Sequence, residues 1–257
     1  MERSPDFDQS LERGLAVIRA FDRSRPELTL SEVAAVTGVT RAAARRFLLT
    51  LADLGYVRND GRFFSLSPRV LELGYAYLSS LSLPEVAEPH LEALVAEVNE
   101  SSSVSVLDGC DVVYVARVPV SRIMTVAINV GTRFPAYVTS MGRVLLAGMP
   151  DDELGRYLDT LVVRPLTART VGSAKALKTE IQRVRAQGWS IVDQELEEGL
   201  RAVAAPIRDR TGRTVAAVNV SAHASRSSLE SMRRDLVPPL LAAAARISAD
   251  LPANSRR

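Results

Sequence analysis

The chain has 257 residues, 47% of them hydrophobic, enough for a well-buried core in one large or two modest domains, and its shifts in composition favour two. A formal net charge of +2 is too small to mark a nucleic-acid binder by itself, and one cysteine, Cys110, with only His90 and His223 beside it, excludes an internal disulfide and supports neither a structural metal nor a cofactor. Met1 to Gln9 are polar and acidic and no apolar run approaches membrane length, which predicts a cytoplasmic protein with no membrane partner.

In chain order, Leu11, Leu15, Ile18 and Phe21 recur at helical spacing and predict a first amphipathic helix from Gln9 to Asp22. After a break at Ser24-Arg25-Pro26, Thr29-Leu30-Ser31-Glu32 reads as a capping box. The threonine hydroxyl and the glutamate three residues on would satisfy the free amides of a new short helix. Gly38 permits the turn that follows, and Thr40 is placed to cap a third helix reaching about Leu54 and ending at Gly55. Two short helices across a glycine-containing turn make a helix-turn-helix pattern. On the third helix Ala44, Phe47, Leu51 and Leu54 share one face, while Arg41, Ala42, Arg45 and Arg46 lie at or beyond its polar edge. Arginine can bond a guanine edge in two places or clamp a phosphate, and the Ala42 methyl allows close approach and contact with a thymine methyl.

The alternation then changes to a short hairpin: Tyr56-Val57-Arg58, a turn at Asn59-Asp60-Gly61, and Arg62 to Leu66. With Arg58 and Arg62 flanking the turn, it has the character of a wing lying along a DNA backbone. From Arg41 to Arg69, six arginines (Arg41, Arg45, Arg46, Arg58, Arg62 and Arg69) stand against Asp53 and Asp60. A basic helix alone is usually a solvated face, and a basic hairpin just a hairpin. Their order and spacing behind a glycine turn predict a winged helix-turn-helix DNA-binding domain over residues 1–67.

Pro68 opens a segment from Arg69 to about Ser80 in which Val70, Leu71, Leu73, Tyr75, Tyr77 and Leu78 cover most of a helix circumference. A helix apolar nearly all round must be buried, here against a partner subunit or the second domain. Ser79, Ser80, Ser82 and Pro84 mark the end of this linker helix, placed at residues 68–83.

The remaining residues, 84–257, begin with a helix from Pro84 to Asn99 that would bury Val86, Leu91, Leu94, Val95 and Val98. Strands are predicted at Ser102 to Leu107, Val112 to Val118 and Met124 to Val130, and helices at Ser140 to Ala147, Asp151 to Thr160 and Ser173 to Gln187. Strands follow at Trp189 to Asp193, Ala202 to Arg208 and Thr214 to Ser221, with a last helix from Arg226 to about Asp250. The class is α+β with a mainly antiparallel sheet, because consecutive strands are joined by tight turns. In Thr214 to Ser221, Val218 and Val220 point one way and Asn219 and Ser221 the other. Facing solvent, the second pair means nothing; lining a cavity, it suits a carboxylate or hydroxyl of a small ligand. The acids Asp193, Glu195, Glu197 and Glu198 are read as a solvated loop or salt-bridged turn beside Arg201, not as catalytic carboxylates. No nucleophile elbow, phosphate-cradling glycine loop or nucleophile–histidine pairing is visible, and His90 reads as structural. No catalytic residue is assigned.

Both halves resemble the IclR family of bacterial regulators, and within it the subfamily controlling protocatechuate, p-hydroxybenzoate and β-ketoadipate catabolism. The stretches that carry the resemblance are Gln9-Ser-Leu-Glu-Arg-Gly-Leu-Ala-Val-Ile18, Thr40-Arg-Ala-Ala-Ala-Arg-Arg46, Ala136-Tyr-Val-Thr-Ser-Met-Gly-Arg143, Gly188-Trp-Ser-Ile-Val-Asp-Gln-Glu-Leu-Glu-Glu-Gly-Leu-Arg201 and Asn219-Val-Ser-Ala-His223. The resemblance implies a winged-helix domain joined to a GAF-like effector domain, in dimers able to pair into tetramers. The DNA-facing set is then Ser31, Thr40, Arg41, Ala42, Arg45, Arg46, Arg58 and Arg62. It implies an effector pocket lined by Ser140, Met141, Asp193, Ala202, Asn219 and Ser221, with Arg133 as candidate counter-charge, since Asp193 would repel a dicarboxylate. The expected partners are double-stranded operator DNA, a small aromatic acid or dicarboxylate effector, and a second copy of the chain. Two other readings are an enzyme acting on a small carboxylic acid with an accessory DNA-binding domain, and a DNA-binding scaffold that senses nothing.

Overall fold

The computed structural model describes residues 6–78, 82–120 and 128–251 of the chain. It divides into two compact units, Met1–Ser80 and Leu81–Arg257.

In the first unit, α1 (Gln9–Arg19) starts at Asp8, whose carboxylate accepts the backbone N–H groups of Ser10 and Leu11. A short strand β1 (Glu27–Thr29) leads into α2 (Leu30–Thr37). Both halves of the capping box form: Glu32 N–H donates to Thr29 Oγ1 at 3.4 Å, and Thr29 N–H donates to Glu32 Oε2 at 2.7 Å. Gly38 closes α2 at φ +70°, a conformation that favours glycine, and Thr40 Oγ1 caps α3 (Arg41–Asp53) by accepting from Ala43 N–H. The hairpin is β2 (Val57–Asn59) and β3 (Phe63–Leu66), with Arg62 in its turn and not in the strand. Strand β1 adds to the far side of β3, pairing Leu28 with Phe64. Three residues are too few to show alternation, so β1 left no periodic mark.

The core of this unit gathers Val17, Ala20, Phe21, Leu28, Val33, Ala44, Leu48, Val57 and Phe64. Two predicted faces are corrected by it. On α1, Val17 turns inward while Leu11 and Leu15 are 63% and 42% exposed. On α3, Ala44 and Leu48, one turn apart, form the centre of the buried face; Leu54 lies past the last turn and is exposed. Beyond the wing, Ser67 caps a 3₁₀ turn, Pro68–Val70, that runs into α4 (Leu71–Leu78). Leu71 and Leu73 on α4 are exposed in the single chain, and Ser79 and Ser80, at the predicted end of this helix, lie outside the described residues.

The second unit opens with α5 (Ser82–Val98), which buries Leu83, Ala87, Leu91 and Leu94; the predicted Val86, Val95 and Val98 flank that stripe and are half-buried. Then come β4 (Ser101–Asp108), β5 (Asp111–Val118), β6 (Arg133–Pro135), α6 (Ser140–Ala147), α7 (Asp151–Thr160), α8 (Ala174–Gln187), β7 (Ser190–Asp193), β8 (Leu200–Arg208) and β9 (Thr214–His223). The described strands form one antiparallel sheet in the order β6-β5-β4-β9-β8-β7. Helices α6 and α8 cover one face, where Met141, Leu145, Leu177 and Ile181 meet Val112, Tyr114, Ala204 and Ala217. Helix α5 and the last long helix, α10 (Val237–Asp250), pack on the sheet as well, against β5 and β8. This is the α+β architecture expected, a winged helix-turn-helix followed by a layered domain on an antiparallel sheet.

Two predicted elements differ. Of the strand placed at Met124 to Val130, residues 124–127 lie outside the described residues, and Ile128 to Val130 is irregular, leading to a turn at Gly131 and then β6. The last helix starts as a single turn, α9 (Leu229–Ser231), and passes through a π-helical turn at Met232–Leu236 before α10. Pro238 and Pro239 in the first turn of α10 lack the N–H groups that α-helical pairing back into this stretch would need. Among the described residues no helix is long and apolar enough to cross a membrane.

Candidate functional site

Two surfaces concentrate the chemistry, one in each unit. In the first, Thr40 sets the start of α3, so Arg41, Ala42, Arg45 and Arg46 emerge together, all exposed, with Ser31 exposed on the first turn of α2. The Arg46 guanidinium lies 5.8 Å from the centre of the Phe47 ring. The wing turn is stiffened by its own side chains: Gly61 N–H donates to Asn59 Oδ1 at 2.9 Å, and Arg62 and Phe63 N–H donate to Asp60 Oδ1 at 3.0 and 2.6 Å. The Phe63 and Arg62 amides hold the Asp60 carboxyl below the usual carboxylate range. Arg58 is exposed, and Arg62 stacks over Phe63 at 5.1 Å. Among the described residues no ion pair engages Arg41, Arg45, Arg46 or Arg58, so their positive charge is available to phosphates.

In the second unit a cavity opens between the start of α6 and the sheet. Tyr114, Ile128, Val138, Met141, Leu196 and Leu200 give it apolar walls; Thr139, Ser140, Asn219 and Ser221 supply polar groups. The approach of α6 depends on Gly142, where a Cβ would stand 2.1 Å from the Ala136 carbonyl oxygen. Thr139 Oγ1 caps α6 by accepting from Gly142 N–H, which leaves the first-turn amides of Ser140 and Met141 without an acceptor in the helix. Ser140 is 1% exposed, and among the described residues its hydroxyl has no hydrogen-bond partner. Opposite, Asn219 Oδ1 accepts Ser103 N–H and Asn219 Nδ2 donates to Ser221 Oγ, each at 3.0 Å. The positive end of a helix, a free hydroxyl and a fixed carboxamide in an apolar enclosure suit a small carboxylate.

Of the predicted pocket residues, Ser140, Met141, Ala202, Asn219 and Ser221 meet in this cavity. Asp193 and Arg133 do not. Val192 pairs with Ala202 on the cavity side of the sheet, so the next pair along, Asp193 with Arg201, faces away. There Asp193 Oδ1 accepts from Arg201 Nε at 2.5 Å and its other oxygen from Arg169. Burial pushes this carboxyl up, but the hydrogen bonds and charges of Arg201, Gln194 and Arg169 outweigh it and hold the acid below its usual range. Arg133, on the edge strand β6, is occupied by Asp108 at 2.6 Å and Asp111 at 3.3 Å.

Three features lay beyond sequence reasoning. Tyr114 lines the cavity, its phenol pushed up to about 12 by burial. Leu196, from the β7–β8 loop, and Leu200, at the start of β8, line the cavity. That loop is held by Glu195, which accepts from Arg143 Nη2 at 2.6 Å and from Val171 N–H at 2.8 Å. Arg143 is 2% exposed, one turn along α6 from Ser140. The acidic run is thus a salt-bridged turn; a buried arginine gives no periodic signal by which its partner could be found.

Residues 10–61 match the family model described as the IclR helix-turn-helix domain, and residues 75–249 that of the bacterial transcriptional regulator IclR C-terminal domain. The chain is 47% identical over 240 residues to the Pca regulon regulatory protein of Pseudomonas putida, covering 93% of this chain and 82% of that one. A crystal structure of a transcriptional regulator from Rhodococcus sp. RHA1 is 63% identical, with a TM-score of 0.87 and coverage of 95% and 98%. An IclR homolog from Microbacterium hydrocarbonoxydans, crystallised in complex with 4-hydroxybenzoate, shares the fold at 24% identity, with a TM-score of 0.83 and coverage of 96% and 100%.

Proposed function

The chain belongs to the IclR family of bacterial transcriptional regulators, and from that premise we propose that it controls an operon of aromatic-acid catabolism, in the protocatechuate/β-ketoadipate class. It is a ligand-responsive DNA-binding transcription regulator, and its family is one of regulators, not of enzymes. Residues 1–67 act as the DNA-binding domain, 68–83 as a linker helix and 84–257 as the effector and oligomerisation domain. In a homodimer, each copy lays the start of α3 in a major groove, with Arg41, Ala42, Arg45 and Arg46 at base edges and phosphates, Ser31 and Thr40 beside them, and Arg58 and Arg62 of the wing along the backbone. The exposed Leu11, Leu15, Leu71 and Leu73 are apolar surface that a second copy would cover, with pairing into tetramers as a further step.

The sensing half rests on one observation above the others: the Ser140 hydroxyl, buried with no partner among the described residues, in a cavity that also holds Asn219 and Ser221. A polar end of the effector, carboxylate or hydroxyl, sits there, on the first-turn amides of α6, and its body lies against Met141 and Ala202. Binding biases the two reading heads between arrangements to the extent that the effector prefers one of them.

Fluorescence anisotropy on the upstream region of a neighbouring aromatic-catabolism operon tests this, with and without 4-hydroxybenzoate and adipate. In wild type, one acid shifts the DNA titration. In the double variant Arg45→Ala, Arg46→Ala, which removes two arginines from each copy, affinity falls by at least about tenfold and the log–log salt slope drops by up to about 3.6. Unchanged DNA binding in that variant would refute the assigned reading face.

A further inference from the structure

The side of the sheet on which Arg117 stands is decided by one extra residue. In the β4–β5 ladder Ser105 pairs with Tyr114 but Val104 pairs with Ala116, so Val115 has no opposite number, and Ser103 then pairs with Arg117. Strict alternation from Tyr114 would carry residues 116 and 118 to the cavity side; the bulge brings Arg117 there instead. Ser103 pairs on its other edge with Asn219, which lines the cavity. Arg117, Ser103 and Asn219 therefore form one row across three adjacent strands, which lie about 4.8 Å apart. Arg117 Nη1 donates to Ser103 Oγ at 3.2 Å, while Ser103 N–H donates to Asn219 Oδ1 at 3.0 Å.

A guanidinium carries five N–H donors, and partial burial makes an unneutralised one costly. Arg117 is half-buried, and that burial holds its pKa below the usual arginine value. Among the described residues it has no carboxylate partner, only the neutral Ser103 hydroxyl. The two well-buried arginines of this unit that face acids are neutralised, Arg143 by Glu195 and Arg201 by Asp193. Residues 121–127, which follow β5, contain no Asp or Glu.

We propose that Arg117 binds a carboxylate of the effector and is the residue that selects anionic over neutral ligands of the same shape. This rests on the reading of the cavity as the effector site. The neutral donors at α6 can hold a carboxylate or a hydroxyl; Arg117 adds the charge that a neutral analogue cannot use. An aromatic monoacid presents its one carboxylate to Arg117 and its ring hydroxyl to Ser140 and Asn219. An aliphatic diacid presents one carboxylate to each end.

Isothermal titration of the full chain with 4-hydroxybenzoate and with adipate, each beside its amide (4-hydroxybenzamide, adipamide), separates these sources and tests the residue. For whichever acid binds wild type, Arg117→Gln weakens binding by roughly ten- to a hundredfold and leaves the amide's affinity unchanged. Arg117→Lys, which keeps the charge without the planar fork, falls between the two and carries the test if Arg117→Gln melts lower than wild type. Equal affinity of an acid for wild type and both variants overturns the role of Arg117 and leaves the effector site standing. Wild type that binds neither acid overturns the site and this inference together.

Discussion

Replacing Glu195 by alanine separates the ion pair that ties α6 to the loop over the cavity. Arg143 and Glu195 have side chains only 2% and 12% exposed and meet at 2.6 Å. The substitution leaves the Arg143 guanidinium buried, with the Tyr137 carbonyl at 3.2 Å as its one remaining described acceptor, and it deprives Val171 N–H of its acceptor. Removing one partner of a buried pair costs about 3–5 kcal/mol, because the remaining charge is stranded in a poorly polarisable place. For a domain of this size, about 2–4 °C of melting temperature accompanies each kcal/mol, which converts to a fall of roughly 6–20 °C in the transition of the second unit. Differential scanning calorimetry of the full chain reads it. Glu195→Gln keeps an acceptor for Val171 N–H without the charge and should lose less; adding Arg143→Met to Glu195→Ala should recover part of the loss, since the stranded charge is gone. A shift below about 2 °C in Glu195→Ala would refute the reasoning, because it would mean that water or another acid neutralises Arg143.

Two further outcomes follow from single positions. Gly142→Ala sets a methyl 2.1 Å from Ala136 O and 2.4 Å from its Cα, both backbone, so the urea midpoint should fall by the equivalent of about 4 kcal/mol or the chain should fail to accumulate in soluble form. An unchanged midpoint would show that the 3₁₀ turn Ala136–Val138, which precedes α6, can move aside. Asp193 is held below its ordinary range, so its contribution is complete above the unfolded-state value near pH 4 and is lost as pH falls through the lower folded-state value. Asp193→Asn should therefore be less stable than wild type in denaturant melts at pH 7, and the two should converge as the solution is acidified; a gap that stays constant down to pH 2 would contradict this.

What could be read from residues alone was whatever is encoded locally. Thr29 with Glu32, Thr40 before α3 and the Asp60-Gly61 turn each combine donor and acceptor within a few positions, and each forms as expected. Asn219 and Ser221 were placed on a common face by the period of a strand, and that face proved to be a cavity wall. The failures lie where a neighbour decides. Arg133 has the charge of a pocket counter-ion, but β6 pairs with β5, and Asp108 and Asp111 hold its guanidinium at the sheet edge. Asp193 entered by resemblance, yet its register with Arg201 turns it from the pocket. Arg117 sits in an unbroken run of strand-forming residues, where only the pairing partner reveals that Val115 is supernumerary. Leu54 continues the apolar period of α3 on a helix wheel, but the wheel does not say that the helix stops at Asp53.

Helix α6 is buried from Ser140 through Leu146, and its first turn is also the wall of the cavity. With the effector in that cavity, as proposed, the domain's spine and its sensor are one piece of chain, so occupancy of the sensor enters the folding equilibrium directly. At a ligand concentration a hundred times the dissociation constant, mass action adds about 2.7 kcal/mol to stability, which thins the unfolded population by roughly a hundredfold. Proteases in a cell draw on that population. The abundance of such a regulator would rise with the metabolite it detects, giving the cell a slow record of exposure, kept in protein copy number, alongside the fast answer at the promoter.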